Sequence, residues 1–150
     1  MAVAIIAVPY GSPDYYQALA LRHLYLRQPL GLSFTPEEEA EDQCACHVVA
    51  KVNDRVIGCV LGVEKEGWIK IRQMVVEREW QRRGIGSQLL QTIEGLFKDR
   101  GRTAFFLHAR HHSLEFYRRN GYQPIGALFY EVGILHQRME KHLSLPEGRI

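Results

Sequence analysis

The feature that most limits what this chain can become is the passage from Ile71 to Leu90, IRQMVVEREWQRRGIGSQLL. An apolar, strand-like run enters the basic turn Gln81-Arg82-Arg83-Gly84-Ile85-Gly86, and a helical pattern starts directly after it. Glycine takes up φ > 0 at little steric cost and lets a backbone come close to a ligand. The free N–H groups of a helix's first turn, with the helix dipole behind them, then face a phosphate. Two arginines add positive charge beside them. The order of strand, glycine turn and helix describes an anion site, and a pyrophosphate-bearing cofactor is its natural occupant. Two other glycine turns do not fit. A Rossmann turn needs a third glycine where helix and strand pack closely, and that position, counted from Gly84, holds Leu89. A P-loop needs Gly-Lys-Ser/Thr, and Gly86-Ser87 has no lysine.

The rest of the chain supplies one domain's worth of elements around that turn. At 150 residues, 46% of them hydrophobic and 24% charged, one domain with one sizeable core is expected. Residues 3–8 read as a first strand. Ser12-Pro13-Asp14 reads as a helix start with serine at the N-cap and proline at N1, and Leu19, Leu21, Leu24, Tyr25 and Leu26 supply that helix's apolar positions. Thr35 and Glu38 are spaced as a capping box. The acidic run 37–42 is therefore first a helix start, with a negative mouth that attracts an amine as the other reading. Strands follow at 46–52 and 56–63 around Asn53-Asp54, then at 68–76. Ile85, Leu89, Ile93, Leu96 and Phe97 mark one face of a helix over 84–100. A strand over 103–107, a short helix over 111–120 and a hairpin of 125–131 with 134–140 complete the order.

Composition narrows the partners. The net charge is +2, too small to attract a polyanion, and Arg82-Arg83 with Arg118-Arg119 is a thin basic stripe. No nucleic-acid partner is expected. The apolar start lacks a basic segment before it and meets Pro9 at once, so no signal peptide is expected. No run reaches the length of a membrane span. Cys44, Cys46 and Cys59 contain no Cys-x-x-Cys pair and read as reduced thiols of a cytoplasmic protein. A Cys44/Cys46/His47 metal cluster lacks a fourth ligand, so no metal is expected.

The spacing Gln81-x-x-Gly84-x-Gly86 resembles the acyl-CoA-binding motif of the GNAT N-acetyltransferase superfamily. A second segment, LHARHHSLEFYRRNGY from Leu107 to Tyr122, resembles the same family's signature of a strand, a short helix bearing a Phe-Tyr pair, and Gly-Tyr at the next strand. Here the pair is Phe116-Tyr117 and the exit is Gly121-Tyr122. One position departs: many members carry Asn seven residues before the tyrosine, and this chain has Arg110. A third run, Phe129 to Met139, is similar to the ElaA-like branch, with its Glu-x-Gly-Ile-x-His-x-x-Met pattern. The resemblance implies an α/β (α+β) fold, with residues 1–150 forming a single GNAT domain. Its mixed central sheet would have about seven strands, the central ones splayed, with about four helices on both faces. It also implies acetyl-CoA as co-substrate, in the cleft between the splayed strands. Backbone groups of Met74, Val75 and Val76 would pair with the pantetheine arm. The segment Gln81, Arg82, Arg83, Gly84, Ile85, Gly86 and Ser87 would hold the pyrophosphate.

Acyl transfer to an amine needs a neutral nucleophile, donors for an oxyanion and help for the leaving thiolate. A lysine-like amine is neutral to the extent of only about 0.04% at pH 7. Tyr117 matches the family's leaving-group acid. No base stands out. Glu131 and His136 flank Gly133 within reach of the amine, while His47 and His108 sit on strands as further candidates to line the cleft. Cys59 has nothing nearby in sequence to lower its pKa. The expected activity is direct transfer of acetyl from acetyl-CoA to a primary amine of a small molecule or peptide. A longer acyl donor, a CoA-binding regulatory domain without turnover, and an interaction module are the alternatives. Apolar area at a sheet edge would signal a homodimer.

Overall fold

The structure, a computed structural model, describes residues 2–144. Strand β1 (Ala4–Val8) leads into helix α1 (Pro13–Leu26), whose start is set as the sequence predicts: Ser12 is the N-cap and its side chain accepts the Tyr15 N–H at 3.2 Å. Helix α2 (Pro36–Asp42) begins with a complete capping box. The Thr35 hydroxyl accepts the Glu38 N–H at 3.2 Å and the Glu38 carboxylate accepts the Thr35 N–H at 3.1 Å. Then come β2 (Cys46–Val52), β3 (Arg55–Lys65), β4 (Trp68–Val76), α3 (Ile85–Lys98), β5 (Ala104–Arg110), α4 (Leu114–Arg119), β6 (Gln123–Glu131) and β7 (Ile134–His142). Single 3-10 turns at Gln28–Leu30, Arg78–Trp80 and His111–Ser113 join them.

The strands form one sheet in the order β1-β2-β3-β4-β5-β7-β6. Every pair is antiparallel except β4 with β5. With a parallel pair at its centre and helices on both faces, this is the mixed seven-stranded fold the sequence implies. α3 covers one face, packing Ile85, Leu89, Leu90, Ile93 and Phe97 onto strand residues such as Val48, Ile57, Ile69 and Phe105. Burying a side chain of this kind contributes about 1.5–3 kcal/mol, so this layer dominates the core. α1 covers the other face, with Ala18 against Val49, Val56, Cys59 and Val75.

Some sequence expectations shift in detail. The buried stripe of α1 is Tyr15, Ala18 and Arg22, with Leu21, Tyr25 and Leu26 half-buried beside it, while Leu24 is 50% exposed. The apolar letters of α1 therefore place its buried face slightly wrong, because an arginine occupies it. β5 runs three residues beyond the predicted 103–107, since β7 pairs with it as far as Arg110. The predicted helix over 111–120 is a 3-10 turn followed by the six residues of α4. β6 lies at the sheet edge and exposes Ile125, Leu128 and Tyr130.

Candidate active site

β4 and β5 are hydrogen-bonding neighbours only at their start. Their register has two steps, Ile69 with Phe105 and Lys70 with Phe106, after which the strands part. Each keeps its outer partner: β3 stays with β4, and β7 stays with β5. The β5-facing edge of β4 is thus left with unpaired backbone groups, which need another partner. A cleft of about 600 Å³ opens at this split. Met74, Val75 and Val76 line it, as does Tyr117 from α4.

The β4 wall is irregular where it meets the cleft. Leu61 pairs with Arg72 and Cys59 with Val75, so three steps along β4 oppose two along β3, which is a bulge. Gln73 in this bulge has φ 53, a left-handed conformation that costs a non-glycine residue about 1–2 kcal/mol. Side-chain bonds hold it. Gln73 Oε1 accepts from Arg22 Nε at 2.6 Å, and its amide donates to Glu38 at 3.3 Å. Arg22 is itself fixed by two bonds to Asp42, at 2.9 and 3.1 Å, and the Tyr15 hydroxyl donates to the same carboxylate at 2.5 Å. Arg22 and Asp42 are 2% and 0% exposed, so a buried ion pair braces the cleft wall. Sequence reading missed it. The available signal was a charged residue four positions after Ala18 on the buried face of α1.

The glycine turn sits at the far end of β4. The first intrahelical bond of α3 runs from the Gln88 N–H to the Gly84 carbonyl at 3.1 Å, so the N–H groups of Ile85, Gly86 and Ser87 precede the ladder. Gly84 has φ 78 and Arg82 φ 63. Gln81 lines the cleft and donates to the Val76 carbonyl at 2.9 Å, pinning the turn to the strand end. Arg82 and Arg83 are exposed, and Arg83 stacks over Trp80 at 4.7 Å. Gly86 approaches α4 closely: a Cβ there would meet the Phe116 ring at 3.0 Å.

Tyr117 packs edge-on against Phe116 and Tyr122. Its hydroxyl takes part in none of the hydrogen bonds among the described residues, and burial pushes its pKa up to about 12. The hydroxyl is therefore neutral at working pH.

The remaining charged groups of the cleft lie on the α1 face. On β5, Phe105, Leu107 and Ala109 are buried on the α3 side, so the alternation of the strand turns His108 and Arg110 the other way. His108 Nδ1 lies 3.1 Å from Glu131 Oε1. His136 Nε2 lies 3.7 Å from the other Glu131 oxygen, while its Nδ1–H donates to the Ile134 carbonyl at 2.7 Å. The structure thus brings Glu131, His136 and His108 together. The hydrogen bond with His108 holds the Glu131 carboxyl below the usual carboxylate range, against the effect of burial. The turn beside them is strained: Val132 has φ 47, unusual for a β-branched residue.

The acidic helix start also reaches the cleft, through Glu38 and Glu41. Arg27 meets Glu38 at 2.7 Å, Arg72 meets both carboxylates, and Lys65 meets Glu41. Burial works to raise both carboxyl pKa values, but these cations and the Thr35 N–H outweigh it and hold them low. The run caps α2, as the sequence predicts, and two of its carboxylates line the cleft as paired charge.

One expectation is corrected, that for His47, and the reading of Cys59 is upheld. His47 does not line the cleft; it is buried on β2, with Nε2 2.8 Å from the Asp42 carbonyl. Cys59 is buried and burial pushes its thiol up to about 12, which excludes it as a nucleophile. Among the described residues no group of three or more His, Cys, Asp or Glu side chains is arranged so that it could hold a metal ion.

A family model described as "Acetyltransferase (GNAT) domain" matches residues 32–143. Solved structures share the fold. A candidate N-acetyltransferase from Lactobacillus plantarum superimposes with a TM-score of 0.82 at 24% identity, covering 96% of this chain and all of that one. ElaA from Escherichia coli gives 0.80 at 18% identity, over 94% of this chain and 100% of its own. An aminoglycoside 6'-N-acetyltransferase complexed with coenzyme A gives 0.79 at 18% identity, over 96% and 99%.

Proposed function

Because this chain belongs to the GNAT acetyltransferase family, we propose that it moves an acetyl group from acetyl-CoA to a primary amine by direct attack. The observation that carries this reading is the passage through the sheet where β4 and β5 part. On the α3 face it offers helix N–H groups to a pyrophosphate, and on the α1 face it offers ionised side chains to an amine. Binding of coenzyme A by a protein of the same fold supports the first half.

The pantetheine arm lies along the unpaired edge of β4 at Met74, Val75 and Val76. Its pyrophosphate meets the turn from Gln81 to Ser87. The amine nitrogen attacks the thioester carbon, a C–N bond forms, and a β4 backbone N–H at the bulge stabilises the oxyanion. Collapse breaks the C–S bond. The amine's surplus proton goes to His108: with Nδ1–H donating to Glu131, its Nε2 keeps the lone pair. Glu131 stays ionised, which suits it to orient His108 and attract an ammonium rather than to take the proton itself. His136, its Nδ1–H committed to Ile134, packs behind Glu131 with Nε2 3.7 Å from its second oxygen.

Tyr117 faces the leaving sulfur. A thiol has a pKa near 8.5, so outright proton transfer from a tyrosine held at about 12 is uphill by about 5 kcal/mol. A hydrogen bond to the departing thiolate is the contribution its energetics permit. The three cysteines are all free, which supports a reducing, cytoplasmic setting. Among the described residues no helix is long and apolar enough to cross a membrane.

Calorimetry with acetyl-CoA, followed by a screen of amines for release of the CoA thiol, tests the proposal. Binding plus amine-dependent release supports it. Absence of acetyl-CoA binding overturns it, and binding without turnover of any amine reduces it to a CoA-binding module.

A further inference from the structure

Two arginines share one carbonyl on the amine side of the cleft. Arg27 Nη1 and Arg110 Nη2 both donate to the Leu26 carbonyl oxygen, at 3.1 and 3.2 Å. Arg27 follows the last turn of α1 and Arg110 ends β5, so the guanidiniums reach that atom from opposite walls. Both line the cleft. Two cations on one neutral acceptor repel each other. Burial first, and then the Arg27 charge, disfavours the charged form of Arg110.

The nearby carboxylates do not balance them. Glu38 is divided between Arg27 and Arg72, and Glu41 between Arg72 and Lys65. Among the described residues no carboxylate lies within 4.0 Å of Arg110. With Lys70 and Glu131 of the same cleft included, five cations, Lys65, Lys70, Arg27, Arg72 and Arg110, face three carboxylates, Glu38, Glu41 and Glu131. A half-buried guanidinium without a counter-ion is unfavourable, and an incoming anion relieves it. Paired planar guanidiniums suit the oxygens of a carboxylate or phosphate through forked hydrogen bonds. The cofactor's phosphates have their own partner at the start of α3, on the opposite face of the sheet.

We infer that the acceptor is a small amine that also carries an anionic group, held by Arg27 and Arg110 while its nitrogen lies at His108. This rests on the N-acetyltransferase reading above. His108 and Arg110 alternate on β5 and project from one face with Cα atoms about 7 Å apart. The amine and the anion of the acceptor are therefore only a few bonds from each other. Simple alkylamines leave the arginine pair without a counter-ion, and polycationic amines are repelled by it.

Two matched pairs test this: 4-aminobutyrate against butylamine, and phosphoethanolamine against ethanolamine. Thiol release should give the anionic member of each pair a kcat/KM higher by about tenfold or more, the scale of one charge-assisted hydrogen bond. Arg110→Gln should reduce that preference to within about twofold, Arg110→Lys should retain part of it, and acetyl-CoA affinity should be kept in both, which also reports that the cofactor side is folded. Equal rates for the paired amines in the wild type overturn the inference. So does an Arg110→Gln protein that loses acetyl-CoA affinity but keeps the preference, since the pair then serves the cofactor. If acetyl-CoA does not bind, or no amine turns over, the earlier reading fails, and calorimetric titration of the same four amines decides this one. Anionic amines that bind wild type and not Arg110→Gln uphold the arginine site; their failure to bind wild type removes it.

Discussion

Gly84 and Gly86 are two residues apart, yet different forces demand them. A Cβ on Gly84 would touch nothing within 4 Å, but its φ of 78 disfavours any side chain. Gly84→Ala should therefore cost about 1–2 kcal/mol of strain, read as a small loss in a thermal melt. Gly84→Asp adds a negative charge at the anion site and should abolish acetyl-CoA binding in calorimetry while the protein stays folded. Gly86→Ala is different, because its Cβ would press on Phe116 at 3.0 Å and move the helix that carries Tyr117. Tyr117→Phe keeps the ring and removes the hydroxyl. Its kcat should fall by about ten- to ten-thousand-fold, less for an acyl donor with a more acidic thiol, with acetyl-CoA affinity nearly unchanged. A near-normal kcat under conditions where chemistry limits turnover would reduce Tyr117 to packing. The spacing of the glycines was legible in the sequence because local backbone geometry demands it. The need for Gly86 to clear Phe116 was not, since the two are thirty residues apart and only packing joins them.

At the scale of elements, α2 joins two functions in seven residues. Its capping box was readable from Thr35 and Glu38, because both partners lie within one turn. The pairing of its carboxylates at the cleft was not, because Arg27 and Arg72 come from other elements. Sequence alone suggests that Glu38→Gln is nearly silent. With two arginines on that half-buried carboxylate, the substitution should instead cost about 1 kcal/mol in chemical denaturation. The Arg22–Asp42 pair is a stronger tie, linking α1, α2 and the β4 bulge. Arg22→Met leaves a buried carboxylate unpaired and should cost about 3–5 kcal/mol, while Arg22→Met with Asp42→Leu should restore much of that loss. If kcat stays low in the double variant after stability returns, the pair positions the bulge as well as holding the helices. The apolar pattern of α1 concealed this pair, since arginine contributes nothing to a hydrophobic stripe.

For the whole molecule, acid should act in two stages. His47 is held below its ordinary pKa of 6.5 by burial, so the unfolded chain binds a proton there before the folded one does. Its contribution is complete above about pH 6.5 and is lost as the pH falls toward the depressed value. Glu38 and Glu41 are also depressed, from 4.5, and their contribution is lost as the pH falls below that value. Denaturant midpoints should therefore decline first below about pH 6.5 and again below about pH 4.5, and His47→Gln should remove the first decline. The mixed sheet of about seven strands, the order of elements along the chain and the parting of the central strands were legible through motifs the sequence displays. The charge balance of the amine side was not, because it is assembled from separate elements. The parting of β4 and β5 opens the cleft between the two faces of the sheet. On the proposed function, a donor seated from the α3 face and an acceptor arriving from the α1 face would use separate doors, so neither would have to leave before the other enters. Initial rates measured against both substrates should give intersecting rather than parallel double-reciprocal lines, and spent coenzyme should compete with acetyl-CoA while leaving the amine's own entrance open.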